Sequence, residues 1–203
     1  MRPAFLLICA CLCVAAGPGQ GGRPSRLTVS VADADRFVTK WAAVLARNEA
    51  TARRRRDVQT TFTESEVNAY LRFRAKGVVP VGVADAYVFA LGDGRLAVEA
   101  LVDLDAVRLS RERGMFDMAQ LLRGRVPVTA TGVLRSRDGS FRIELETATA
   151  AGFNIPKNLL QELVSYYSRT SSSPAGFDLD SAFELPAGIR QLTVQARKAI
   201  IVQ

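Results

Sequence analysis

Tyr87-Val88-Phe89-Ala90-Leu91 and Arg95-Leu96-Ala97-Val98-Glu99-Ala100-Leu101-Val102-Asp103-Leu104 flank the tripeptide Gly92-Asp93-Gly94. Two apolar, β-prone segments joined by a turn of glycine and aspartate predict an antiparallel hairpin. A connection this short leaves no room for a crossover helix, which disfavours a doubly wound parallel sheet.

The same signal recurs downstream. Residues 126–134 and 140–146 flank Asp138-Gly139, and Phe141, Ile143 and Leu145 alternate with Arg142, Glu144 and Glu146. That alternation gives a strand with one buried and one wet face. A third pair is predicted at residues 189–194 and 199–202, around Arg197-Lys198.

Helical spacing fills the gaps between these hairpins. Ser30 caps a first helix with Asp33 three residues on, and Phe37, Val38, Trp41, Val44 and Leu45 form its apolar stripe. Residues 58–62 are β-prone and run into Thr63-Glu64-Ser65-Glu66, a capping box that starts a second helix. Val67, Tyr70 and Leu71 line one side of that helix, which is expected to end near Lys76-Gly77. Residues 78–83 read as a loop or sheet edge. Short helices are predicted over 115–122 and 156–168, the latter presenting Leu159, Leu160, Leu163, Val164 and Tyr167, before a polar loop at 170–176. The fold class expected is α+β: a curved antiparallel meander sheet of hairpins packed on amphipathic helices, with a long N-terminal helix.

Residues 1–22 join Arg2, an apolar run from Ala4 to Ala16 and a small-residue exit, the three parts of a secretory signal. The run is shorter than the roughly 20 residues a membrane span needs. A lipoprotein exit at Ala10-Cys11 is the alternative, with a very short apolar core. Residues 23–56 are then a tether and an N-terminal basic helix, and 57–203 an α+β domain of lipid-binding type. Export to the periplasm or cell surface is the expected location.

Cys9, Cys11 and Cys13 all lie in the signal, and the chain has no histidine. A mature protein without either residue lacks the usual zinc ligands and every Ser-His or Cys-His catalytic pair. Asp103 with Asp105, and Asp178 with Asp180, are pairs too small for calcium and read as strand-face and turn residues. Glu64 and Glu66 read as first-turn capping residues. The expectation is a protein that is not an enzyme and uses no cofactor or metal.

Net charge is +7. Arg53-Arg54-Arg55-Arg56 concentrates it, either as a site for an anionic headgroup or polymer or as a solvated helix end. The run lacks interleaved aromatics, so nucleic acid is not an expected partner. Phe37, Trp41, Leu45, Tyr70, Leu71, Leu160, Leu163 and Tyr167 are the candidate walls of an apolar groove between sheet and helices.

Three patterns carry a family resemblance. Phe62-Thr63-Glu64-Ser65-Glu66-Val67-Asn68-Ala69-Tyr70-Leu71 resembles the "T-E-x-E-x-N-x-x-L" opening of exported or membrane-tethered bacterial families of the YpmS and LmeA-like kind. The hairpin around Asp93-Gly94 resembles the sheet that follows it there. Leu185-Pro186-Ala187-Gly188-Ile189-Arg190 with Leu192-Thr193-Val194 is similar to their "L-P-x-G-I-x-x-l-x-V" ending. The resemblance implies a tubular lipid-binding fold and lipid handling in the cell envelope; the N-terminal helix and its arginine run lie outside it. Within the motifs, Asn68 is expected to tie its helix to a strand end, and Gly188 to occupy the positive-φ position of a type II turn. Two roles follow: an envelope protein binding a lipid or other amphipathic ligand, or a non-catalytic adaptor binding a protein or anionic polymer through its basic surface.

Overall fold

The computed structural model describes residues 25–50, 57–77, 79, 82–103, 124–167, 169, 175–176 and 178–203, without the side chains of residues 49, 50, 159, 162, 163, 166 and 167. The segment read as a secretory signal, the Arg53–Arg56 run and the helix expected at 115–122 lie outside these residues.

Among the described residues, two antiparallel sheets and three helices form an α+β fold. Helix α1 (Val31–Ala50) is followed by β1 (Gln59–Thr63) and α2 (Glu64–Phe73). Strands β2 (Val83–Gly92), β3 (Arg95–Asp103), β4 (Arg125–Arg137), β5 (Ser140–Ala150) and β6 (Phe153–Asn154) then run as a meander in chain order. Helix α3 (Lys157–Tyr167) and β7 (Phe183–Glu184), which pairs with β5, precede β8 (Gln191–Gln195) and β9 (Lys198–Val202).

The hairpin turns follow from chirality. Asp93-Gly94, Asp138-Gly139 and Ala151-Gly152 each place both central residues at positive φ, the mirror-image turn whose twist matches antiparallel strands. Gly94 has a second reason to be glycine: a Cβ there would stand 2.9 Å from the Leu134 carbonyl oxygen. The Pro186–Ile189 turn departs from expectation. Ala187 has φ +57° and Gly188 +66°, so two positive residues make a type I′ rather than a type II pattern.

The C-terminal hairpin does not extend the meander. β9 lies between β8 and β1 in a separate three-stranded sheet, with Gln59 opposite Val202 and Thr63 opposite Lys198. This small sheet abuts the turns of the large one. Gly94 N–H donates to the Val194 carbonyl at 3.0 Å, and Gly139 N–H donates to the Arg190 carbonyl at 2.8 Å.

The core runs between these layers. Ala34, Phe37 and Val44 are buried and Trp41 is partly so, so Phe37, Trp41 and Val44 of the expected stripe face the core, whereas Val38 and Leu45 are exposed. Phe37 stacks on Tyr70 with centroids 4.6 Å apart and meets Phe62 at 5.0 Å. Leu160 and Val164 of α3 join the same core, with Phe141 and Ile143.

Candidate functional site

The T-E-x-E-x-N stretch builds the joint between α2 and the large sheet. Thr63 accepts from the Glu66 backbone N–H at 3.2 Å while the Glu66 carboxylate accepts from the Thr63 N–H at 2.9 Å, the reciprocal cap expected there. Glu66 also takes two 2.8 Å bonds from the Lys40 ammonium, tying α1 to α2.

Glu64 departs from its expected capping role. Its buried carboxylate accepts from the Tyr87 hydroxyl at 3.1 Å, the Ala90 N–H at 2.9 Å and the Arg197 guanidinium. Burial shifts the Tyr87 hydroxyl upward and the neighbouring Glu64 charge adds to it, against the Leu27 N–H bond, so the phenol stays protonated and donates. Asn68 completes the joint. Its amide oxygen accepts from Val88 N–H at 2.7 Å, and its amide nitrogen donates to the carbonyls of Val88 (2.7 Å) and Glu64 (2.8 Å). A side chain thus pairs with the edge strand β2 as a neighbouring strand would, which shields the sheet edge.

The shielding stops below Tyr87. β2 is bulged between Ala84 and Tyr87, and Asp85 sits at φ +50°. A bulge re-aims side chains and bends an edge. Here Asp85 meets Arg26 at 2.7 Å, and Arg26 also reaches Glu99 at 3.2 Å. The segment Ser25–Ser30 is thereby strapped over the bulge. Leu27 N–H donates to the Tyr87 hydroxyl at 2.7 Å, and Arg197 donates to the Ser25 carbonyl at 3.1 Å. The Arg26 guanidinium lies 5.2 Å over the Tyr87 ring; burial opposes its charge, but Asp85 and Glu99 outweigh that and raise its pKa.

Strap, helix end and bulged strand enclose a cleft of about 610 Å³. Its aliphatic walls are Leu27 and Val29 from the strap, Leu71 and Ala75 from the α2 side, and Val83 and Ala84 from β2, and its polar lining is Arg26, Asn68, Arg72, Lys76, Asp85 and Tyr87. The size falls within the range of small-molecule sites.

The eight groove residues named from the sequence separate. Leu71 lines the cleft. Phe37, Trp41, Tyr70 and Leu160 pack in or against the core, because their helices meet the sheets directly rather than across a gap. Leu45 is exposed on α1, and the side chains of Leu163 and Tyr167 lie outside the described residues. The strap and the bulge leave almost no trace in the sequence; their one signal is Asp85, a residue type that tolerates left-handed backbone.

Both glutamates are saturated by donors and neither lines the cleft. Asp103 faces Arg125 at 4.0 Å, and Asp178 accepts from the Asp180 N–H and the Ser181 hydroxyl. Among the described residues no three His, Cys, Asp or Glu side chains group as metal ligands, and no helix is long and apolar enough to cross a membrane. No protein-family model, curated protein or solved structure matches the chain.

Proposed function

We propose that this protein binds an amphipathic anion, of the fatty-acid or phospholipid class, in the cleft between the strap, α2 and the bulged edge of β2, and acts in the cell envelope as a carrier or receptor rather than a catalyst. The observation that carries the reading is a cleft that joins aliphatic walls to a polar lining, with Arg72 and Lys76 at its helix end and Asp85 engaged by Arg26. Aliphatic walls of Leu27, Val29, Leu71 and Val83 take a hydrocarbon chain without needing any polar partner. The two cations supply the attraction an anionic head needs, and Arg26 has its own carboxylates. The secretory signal and the lipid role implied by the T-E-x-E-x-N resemblance support the same reading.

Native mass spectrometry of protein purified from an exporting host, with solvent extraction of bound material, tests it. The expected result is a co-purifying anionic lipid near one per chain. Delipidated protein should take up a fluorescent fatty acid, and Arg72→Glu with Lys76→Glu should weaken that uptake by about tenfold, as expected for loss of roughly 1.4 kcal/mol of attraction. An empty mass together with no uptake would sink the proposal and favour the adaptor role.

A further inference from the structure

The strap Ser25–Ser30 forms one wall of the cleft but belongs to neither sheet. Its two ends are held differently. Ser30 runs into the start of α1, where its N–H donates to the Asp33 carboxylate at 2.9 Å and its hydroxyl accepts from Asp33 N–H at 3.2 Å. From Ser25 to Val29, among the described residues, no backbone-to-backbone hydrogen bond joins the strap to the rest of the domain. The fastenings there run through side chains. Arg26 meets Asp85 and Glu99, the Tyr87 hydroxyl accepts from Leu27 N–H, and Arg197 donates to the Ser25 carbonyl.

Backbone conformation marks two of these fasteners. Six residues other than glycine have positive φ among those described. Asp93, Asp138, Ala151 and Ala187 each precede a glycine in a tight turn that demands this geometry. The other two are Asp85, at +50°, and Arg197, at +61°, and both hold the strap. Turn chemistry alone would put glycine or asparagine at the position of Arg197, so its guanidinium is what accounts for it. Buried Glu64 orients the remaining contacts, since its Oε1 accepts from both the Tyr87 hydroxyl and Arg197. A phenol that gives its one proton to Glu64 can meet Leu27 N–H only as an acceptor.

We infer that the strap is the gate of the cleft: it pivots at Ser30, and release of Ser25, Arg26 and Leu27 from their side-chain partners lets the ligand in and out. The inference rests on the cleft being a binding site and adds how that site is entered. The strap is the wall that yields first. The side chains of Arg26, Asp85 and Glu99 are 37%, 62% and 24% exposed, so water competes for these ion pairs. Leu27 is already 38% exposed, so lifting it gives up little apolar burial. The walls opposite are tied more firmly, because buried Asn68 and Glu64 fix α2 to β2 by three hydrogen bonds, to Val88 and Ala90.

The exported chain holds no cysteine once residues 1–22 are removed, so one added thiol reports access to the cleft. Ala75 lines the cleft yet is only 1% exposed. The test follows labelling of an Ala75→Cys variant by N-ethylmaleimide, beside hydrogen exchange of the Leu27 amide, with no ligand present. Both should run at least tenfold faster than exchange of the Val98 amide on the inner strand β3, because a gate opens without unfolding the sheet. Glu99→Gln loosens Arg26 from outside the cleft, whose lining does not include Glu99. It should speed Leu27 exchange and thiol labelling by the same factor, about threefold, the scale of one partly exposed ion pair. Tyr87→Phe, which removes the acceptor of Leu27 N–H, should speed both by about fivefold.

A fluorescent fatty acid should enter and leave Glu99→Gln faster by that same factor with Kd unchanged, since a gate alters both rates alike. A thiol that labels at one rate in all backgrounds while Leu27 exchange rises would overturn the gate. So would a thiol reacting no faster than Val98 exchanges, or a Leu27 amide indifferent to both substitutions. Leu27 and the thiol responding together with no fatty-acid uptake would support the gate and fail only the cargo reading.

Discussion

Replacing Asn68 with leucine should be among the most damaging single changes in the described fold. The two side chains are similar in size, so packing changes little. What is lost is three hydrogen bonds at a position only 2% exposed. The Glu64 carbonyl can rely on its helix, but the Val88 N–H and C=O lose the partner that covers the β2 edge. Leaving a buried polar group unmatched costs about 1–3 kcal/mol, so two such groups give about 2–6 kcal/mol, partly offset by the leucine's apolar burial. A net loss of about 3 kcal/mol is a large share of a stability of about 5–15 kcal/mol. Urea unfolding followed by circular dichroism measures it, and hydrogen exchange should show the Val88 amide losing protection ahead of Val98 on the inner strand β3. A loss below about 1 kcal/mol, the floor of that penalty, with Val88 still protected would refute the argument that this amide acts as a substitute strand.

Three further outcomes follow from the same structure. The Asp33 carboxylate, held by the Ser30 hydroxyl and N–H and beside Arg36, titrates below its ordinary value of 3.8. A depressed acid stabilises the fold fully above its unfolded pKa and loses that contribution as pH falls through the folded value, so Asp33→Asn should flatten the acid limb of a stability–pH curve below about pH 4; an unaltered curve would count against the cap. Gly94→Ala meets the Leu134 carbonyl at 2.9 Å, a backbone atom inside the ladder, and should cost about 2 kcal/mol or more. Gly188→Ala meets only the Asn48 amide group, its oxygen at 2.7 Å, on an exposed side chain that can turn away, so its cost should stay near the roughly 1–2 kcal/mol of a left-handed alanine. Thermal unfolding of the pair should therefore rank Gly94→Ala below Gly188→Ala, and the reverse order would contradict the geometry.

Local features are legible in the sequence and contacts between distant segments are not. The turns at Asp93-Gly94 and Asp138-Gly139 and the cap at Thr63 are decided by a few neighbouring residues, and each lies where its chemistry places it. Asn68 is readable too, because a buried-side amide early in a helix needs a backbone partner. The partner of β9 is not readable. Pairing with β1 joins residues from opposite ends of the domain, and no short pattern specifies it. Glu64 misleads because one first-turn acid can serve a helix terminus or a strand edge, and only the approach of β2 decides. The cleft is the least legible feature: it arises from a bulge at Asp85 and from a strap held by Arg26, both of which depend on the fold around them.

The position of β9 also sets an order on how this chain can fold. β1 is made early, but among the described residues β9 is its only strand neighbour, and the register joins Gln59 to Val202. While synthesis proceeds from the N-terminus, the β2–β6 meander can assemble from neighbours in sequence, whereas Phe62 must wait beside an open edge. A chain that has not yet made β9 therefore keeps an open β1 edge that proteases and chaperones can recognise, and one that has made it covers that edge with β9.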